Sequence, residues 1–157
     1  MNESDFDKNT TFGVIGICGA NGNLIARILK DRGFNVIGTD MSSEEDCRFL
    51  KSLEGYDIEV FHGEHPIEFF KKSDYIIPPP SLPKSAKVFD IIKEEDIPIL
   101  EIYDILDIFL PNKPAFGITG TNGKTTSTTV LKKIIKDSGI KPVEHNLVNM
   151  QGNAGFI

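Results

Sequence analysis

The sequence has little that would tie it to a membrane, a polyanion or an oxidising compartment. No apolar run approaches the ~20 residues that a membrane-spanning helix needs. Residues Met1 to Thr11 are polar and acidic, without a basic start or an apolar middle, so they are not expected to be a secretory signal. Positive charge is in deficit: 17 Lys and Arg stand against 23 Asp and Glu, a net charge of −6. That balance argues against non-specific binding to DNA, RNA or an anionic membrane, while leaving room for a nucleotide held by a few local donors. There are only two cysteines, Cys18 and Cys47, and neither sits in a C-x-x-C or metal-ligand spacing. Reduced thiols in a cytoplasmic protein are the expectation. Internal repeats are absent, and low complexity is confined to Pro78-Pro79-Pro80.

What is present is the material of a globular α/β protein. Hydrophobic residues make up 39% of the 157 residues and charged residues 25%, enough for a core and too apolar for bulk disorder. The most informative stretch runs Ala115-Phe116-Gly117-Ile118-Thr119-Gly120-Thr121-Asn122-Gly123-Lys124-Thr125-Thr126. A short apolar strand enters a glycine-rich turn ending in Gly-Lys-Thr-Thr, and a helix is predicted from Thr125 to Lys136. That is the order a phosphate-binding loop needs, because its N–H groups and the helix N-terminus converge on an anion. Lys124 would reach the outer phosphates and the Thr125 hydroxyl would hold Mg²⁺. The strict G-x-x-x-x-G-K-[ST] pattern misses by one position, since Ile118 stands where its first Gly belongs. A glycine-rich turn with a chance Gly-Lys-Thr is the alternative.

Upstream, apolar runs alternate with helical spacing. Strands are predicted at 12–18, 34–39, 57–61, 74–77 and 97–100. Helices are predicted at 23–32, from Ser42 or Ser43 to Leu53, at 66–71, 84–94 and 101–110. Continued after Pro114 by the phosphate-loop strand and its helix, this alternation predicts a parallel arrangement throughout, with right-handed crossovers. Pro111 to Pro114 reads as a linker, so the expected organisation is a loose tail (1–11), a Rossmann-like domain with flanking helices (12–111) and an incomplete P-loop α/β domain (112–157). The residues after the linker are too few for a whole nucleotide-hydrolysing domain, which needs well over ~100, so the chain is expected to stop inside that domain. A last strand is predicted near 143–148.

A second glycine loop, Gly16-Ile17-Cys18-Gly19-Ala20-Asn21-Gly22, follows the first strand and opens a helix. Counted from Gly16 as G-x-G-x-x-G, it has Cys18 at the second Gly and Asn21 at the third. Asp40 ends the second strand, where a ribose-binding acid would sit. Three readings stay open: a dinucleotide (NAD-like) site, a tight βα turn with Asp40 as a capping acid, and a site for another nucleotide. Among other polar groups, His62 and His65 flank Gly63-Glu64 and read as exposed loop residues rather than a metal pair. His145 reads as core or edge packing, and Lys71-Lys72 and Lys132-Lys133 as solvated helix faces.

Taken together, the two loops resemble those of the Mur ligases, ATP-dependent enzymes that add amino acids to UDP-linked cell-wall precursors. The T-G-T-N-G-K-T-T run is similar to the phosphate loop of that family, and Gln151-Gly152-Asn153-Ala154-Gly155 resembles its G-N-x-G segment. Folylpolyglutamate synthases share the phosphate loop but lack a preceding domain of this kind. The resemblance implies ATP and Mg²⁺ as cofactors, with ATP bound by Gly120 to Thr126. Lys124 and Thr125 would be the catalytic residues, and Thr125 the metal ligand. It implies a UDP-sugar or UDP-sugar-peptide held by Ala20, Asn21, Gly22, Asn23, Asp40 and Asn153, and an amino acid joined to it through an acyl phosphate. It places the Mg²⁺-binding Glu, a carbamylated Lys and the amino-acid-receiving domain further along, so the 157 residues alone are expected to be inactive. Pro78-Pro79-Pro80-Ser81 departs from the Ser-Pro-Gly common in the family, and proline has no N–H to offer a diphosphate. The loops mix features of the alanine-adding type with those of the D-glutamate- and diaminopimelate-adding types, a mixture that a ligase of a non-murein wall such as pseudomurein would fit.

Overall fold

The computed structural model describes residues 1–109 and 117–139, and the backbone of two further strands at 145–149 and 152–156. Two compact units divide at residues 110 and 111.

In the first unit, β1 (Thr11–Ile15), β2 (Asn35–Asp40), β3 (Glu59–His62) and β4 (Tyr75–Ile77) form a sheet in the order β3-β2-β1-β4. All pairings are parallel, in register Phe12 to Val36, Phe12 to Tyr75 and Ile37 to Glu59. Helices α1 (Ala20–Asp31), α2 (Ile67–Lys71), α3 (Val88–Glu94) and α4 (Ile102–Phe109) supply the cover. The expected parallel α/β sheet is therefore present. Side chains alternate across it as strand geometry requires. Ile15, Ile37 and Ile76 pack with Phe69 and Phe70 of α2 and with Val88 and Ile92 of α3. Phe12 and Phe34 instead meet Phe109 of α4, with ring centroids 6.1 and 5.3 Å away.

Three local expectations change. The expected fifth strand at 97–100 is reduced to a bridge between Ile76 and Ile99, held by Ile76 N–H to Pro98 O and Leu100 N–H to Ile76 O. The helix expected from Ser42 or Ser43 to Leu53 is a series of turns with one 3-10 turn at Leu50–Leu53. Tertiary bonds compete with the helix there: the Asn23 amide donates to Phe49 O, and Ser52 Oγ donates to Asn23 Oδ1. The tail is docked rather than loose. Phe6 is buried and lies 5.2–5.6 Å from the rings of Phe12, Tyr75 and Phe109. Glu3 pairs with Arg32 at 2.6 Å, and Lys8 lies over the Phe34 ring.

The second unit holds β5 (Gly117–Ile118), α5 (Lys124–Asp137), β6 (His145–Asn149) and β7 (Gly152–Phe156). Its sheet runs β5-β7-β6 and both pairings are antiparallel, which corrects the expectation of a parallel arrangement throughout. The reason is spacing. Only two residues separate β6 from β7, and a parallel crossover needs a dozen or more. The linker Pro111 to Pro114 lies outside the described residues.

Candidate functional site

Parallel α/β sheets bind ligands at the carboxyl ends of their strands, and in the first unit that edge carries the first glycine loop. The loop is pinned to the end of β2. Gly16 N–H and Ile17 N–H donate to Thr39 O, and Cys18 N–H donates to Asp40 Oδ2 at 2.9 Å. The other Asp40 oxygen accepts Ser42 N–H at 2.9 Å. Asp40 thus fastens the loop to the next segment as well as standing where a ribose or uracil contact is expected.

Helix α1 begins at Ala20. At Gly22 a Cβ would come 2.3 Å from Gly16 O, so glycine is required for the helix to approach the loop this closely. Gly22 therefore performs the packing task of a third fingerprint glycine, one position later than the count from Gly16 placed it. Asn23 is 2% exposed and its side chain is engaged with Phe49 and Ser52, so it holds α1 to the turns after β2. Asn21 differs. Its Oδ1 is buried without a hydrogen-bond partner, the condition of an atom that a ligand would satisfy. Of the four expected loop contacts, Asn21 is the one whose side chain is unspent.

After β4, Pro79 covers Gly16, with Pro79 Cγ 3.3 Å from where a Gly16 Cβ would stand. The proline run lines a cleft of about 450 Å³ together with Lys84, Glu101 and Tyr103. The spacing of the motifs gave no sign of this cleft, because its walls come from separate segments.

The two histidines expected in an exposed loop are partly buried and bonded. His62 Nδ1 lies 3.2 Å from Ser42 O. Thr39 Oγ1 donates to Glu64 O and accepts from His65 Nδ1 at 2.9 Å. Burial lowers the His65 pKa, with the nearby Asp40 charge acting the other way. The cysteines are not free thiols as expected: Cys18 and Cys47 form a disulfide, with Cα atoms 4.8 Å apart. Their separation of 29 residues in sequence hides the contact, which parallel pairing of β1 with β2 creates.

In the second unit, β5, the loop Thr119 to Gly123 and α5 follow in the order expected of a phosphate loop. Gly123 caps α5 at φ +78°, a left-handed conformation that glycine adopts without strain. A Cβ there, or at Gly117, would meet nothing within 4 Å, so the loop is open beside these positions. The Lys124 ammonium folds back onto Gly120 O and Thr121 O. Thr125 O accepts the Thr129 hydroxyl at 2.8 Å. A capping glycine, open space and a lysine at the helix start fit an anionic phosphate chain. Asn153 is in β7, paired with Val148, and not in a turn. His145 begins β6. Lys72 pairs with Glu68 and Glu59, and Lys133 with Asp137, as solvated helix faces do.

These features define an α/β protein with two glycine-rich loops, each leading from a strand into a helix. No family model matches the chain. Individual relatives do. It is 34% identical over 139 residues to UDP-N-acetylmuramate–L-alanine ligase of Buchnera aphidicola, covering 88% of this chain and 28% of that one. It is 30% identical over 159 residues to UDP-N-acetylmuramoylalanine–D-glutamate ligase of Bacillus velezensis, covering 100% of this chain and 34% of that one. Among solved structures, it resembles a pseudomurein peptide ligase type C from Methanothermus fervidus, with TM-score 0.67, 38% identity and coverage of 88% and 28%. The chain belongs to the Mur ligase family. It spans about a third or less of the length of these relatives.

Proposed function

We propose that this chain is the substrate-nucleotide unit and the start of the ATP-binding unit of an ATP-dependent Mur-type ligase acting in the cytoplasm. The observation that carries the reading is the pairing of its two loops: a Gly16–Gly22 loop fastened by Asp40, and a phosphate loop ending in Gly123-Lys124-Thr125 at the start of α5. ATP, with Mg²⁺, supplies a phosphoryl group that activates a substrate carboxylate for amide formation. The chain's own residues bind and orient. Backbone N–H groups of Gly120 to Thr126 cradle the phosphates, Lys124 exchanges its loop carbonyls for phosphate oxygens, and the Thr125 hydroxyl holds Mg²⁺. In the first unit, Asn21 Oδ1 and the Ala20–Gly22 backbone hold the nucleotide part of a UDP-sugar or UDP-sugar-peptide, with Asp40 at the uracil or ribose. An amino acid is the second substrate.

The 38% identity to the pseudomurein peptide ligase supports a sugar nucleotide of a pseudomurein-type wall precursor. The proline run after β4 supports it too, since it removes N–H donors from the usual diphosphate position. The 157 residues alone are inactive in this reading. Calorimetry with UDP-sugars, ATP and NAD tests it. Binding of UDP-sugar and Mg·ATP, with the first lost in Asn21→Ala and the second in Lys124→Met, is expected. Binding of NAD in preference to UDP-sugars would replace it with a dinucleotide-binding module. ATP- and amine-dependent phosphate release from these residues alone would overturn the inactivity.

A further inference from the structure

Beside the first glycine loop, two sulfurs and an imidazole converge from three separate stretches. Cys18 follows β1, Cys47 lies in the turns after β2, and His62 ends β3. The Sγ atoms and a His62 ring nitrogen all lie within 4.8 Å of one another. Both cysteines are buried and His62 is partly so. A disulfide alone has no use for the third group.

The supports around this cluster are those of a ligand set. A carbonyl oxygen can only accept, so the His62 Nδ1 contact with Ser42 O puts the proton on Nδ1 and the lone pair on Nε2. A backbone carbonyl fixing the second nitrogen is how metal-ligating histidines are oriented. The Cys18 backbone is fixed by Asp40 and the Cys47 N–H by Glu44 O. Two thiolates and a neutral imidazole suit a thiophilic divalent cation such as Zn²⁺. In a tetrahedral zinc site the two sulfurs stand about 3.8 Å apart, from Zn–S bonds of about 2.3 Å, so the disulfide and the bound cation exclude each other.

We propose that Cys18, Cys47 and His62 form a metal site that the Cys18–Cys47 disulfide masks: the reduced dithiol binds Zn²⁺ or a similar thiophilic cation, and oxidation expels it. An external dithiol gives two electrons and two protons to the disulfide, yielding two thiols and its own disulfide. The thiols then lose two protons as the cation binds. In the reverse direction an external disulfide takes the two electrons back, the Cys18–Cys47 bond re-forms and the cation leaves. A reducing compartment favours the dithiol form. Because Cys18 is part of the loop that Asp40 fastens, exchange between the two states acts directly on that loop. The inference does not depend on what the loop binds.

The test uses the whole chain with no nucleotide present. After reduction with a phosphine and removal of oxygen, Zn²⁺ is titrated against a chromophoric chelator, and Co²⁺ replaces it for absorption spectroscopy. Expected are one ion per chain, a thiolate-to-cobalt charge-transfer band, and no uptake by the oxidised chain. Cys18→Ser, Cys47→Ser and His62→Ala should each weaken binding by about tenfold or more, and circular dichroism checks that each variant is folded. Failure of the reduced wild-type chain to take up metal would overturn the proposal. So would a site that folded Cys18→Ser and Cys47→Ser retain at full affinity, or cobalt spectra without a thiolate band.

Discussion

Asp40 and Gly22 show how much of the first loop is decided by single groups. Asp40 spends one oxygen on Cys18 N–H and one on Ser42 N–H, so a nucleotide bound there would meet a carboxylate already held in place. Gly22 has no room for a methyl group against Gly16 O. Gly22→Ala should destabilise the first unit by about 1–3 kcal/mol through overpacking, read as a lower urea midpoint with unchanged slope. Gly123→Ala meets open space, and its cost is the left-handed backbone instead, about 1–2 kcal/mol; its larger effect is expected on ATP binding by calorimetry. His65 gives a pH dependence. Its folded pKa lies below the ordinary 6.5, so the unfolded chain takes up the proton first. Its contribution is therefore intact above pH 6.5, and stability falls as pH drops through that value. Urea melts from pH 7.5 to 5.5 should show this loss, and His65→Gln should flatten it.

Helices α1 and α5 make a contrast in what a glycine-rich loop rests on. Seven of the twelve residues of α1 are buried, and α5 has no buried residue in fourteen. Val130 and Ile134, one turn apart on α5, are 53% and 60% exposed. Helices of this length are marginal without an apolar face to bury. Amide hydrogen exchange of 124–137 should accordingly be much faster than that of 20–31, and Mg·ATP should slow it if the loop binds phosphates. Equal protection of the two helices would contradict this. The segment before β1 is an element in its own right. Phe6 completes a ring cluster with Phe12, Phe34, Tyr75 and Phe109. Phe6→Ala should cost about 3 kcal/mol, seen as a lower thermal midpoint of the first unit.

Across the chain, the first unit is a parallel sheet covered on both faces and the second is an antiparallel sheet with one helix. The resemblance to Mur ligases came from two short loops, and it extends to the relatives at 30–38% identity. The relatives are about three times longer. Calorimetry should find UDP-sugar and ATP binding independently, each lost by substitution in its own loop.

The sequence alone determined the α/β alternation, the helices α1 and α5 and the order strand, loop, helix at both glycine runs. Those features are written in spacings of a dozen residues or fewer, where propensity and turn chemistry act locally. Tertiary structure decided which distant groups meet. Cys18, Cys47 and His62 converge because β1, β2 and β3 lie side by side in parallel register. Residues 42–53 lose their expected helix because Asn23 bonds Phe49 and Ser52, and Phe6 is anchored because a ring-lined recess lies beside β1. Residues 152–156 form a strand because β6, two residues upstream, pairs with them antiparallel.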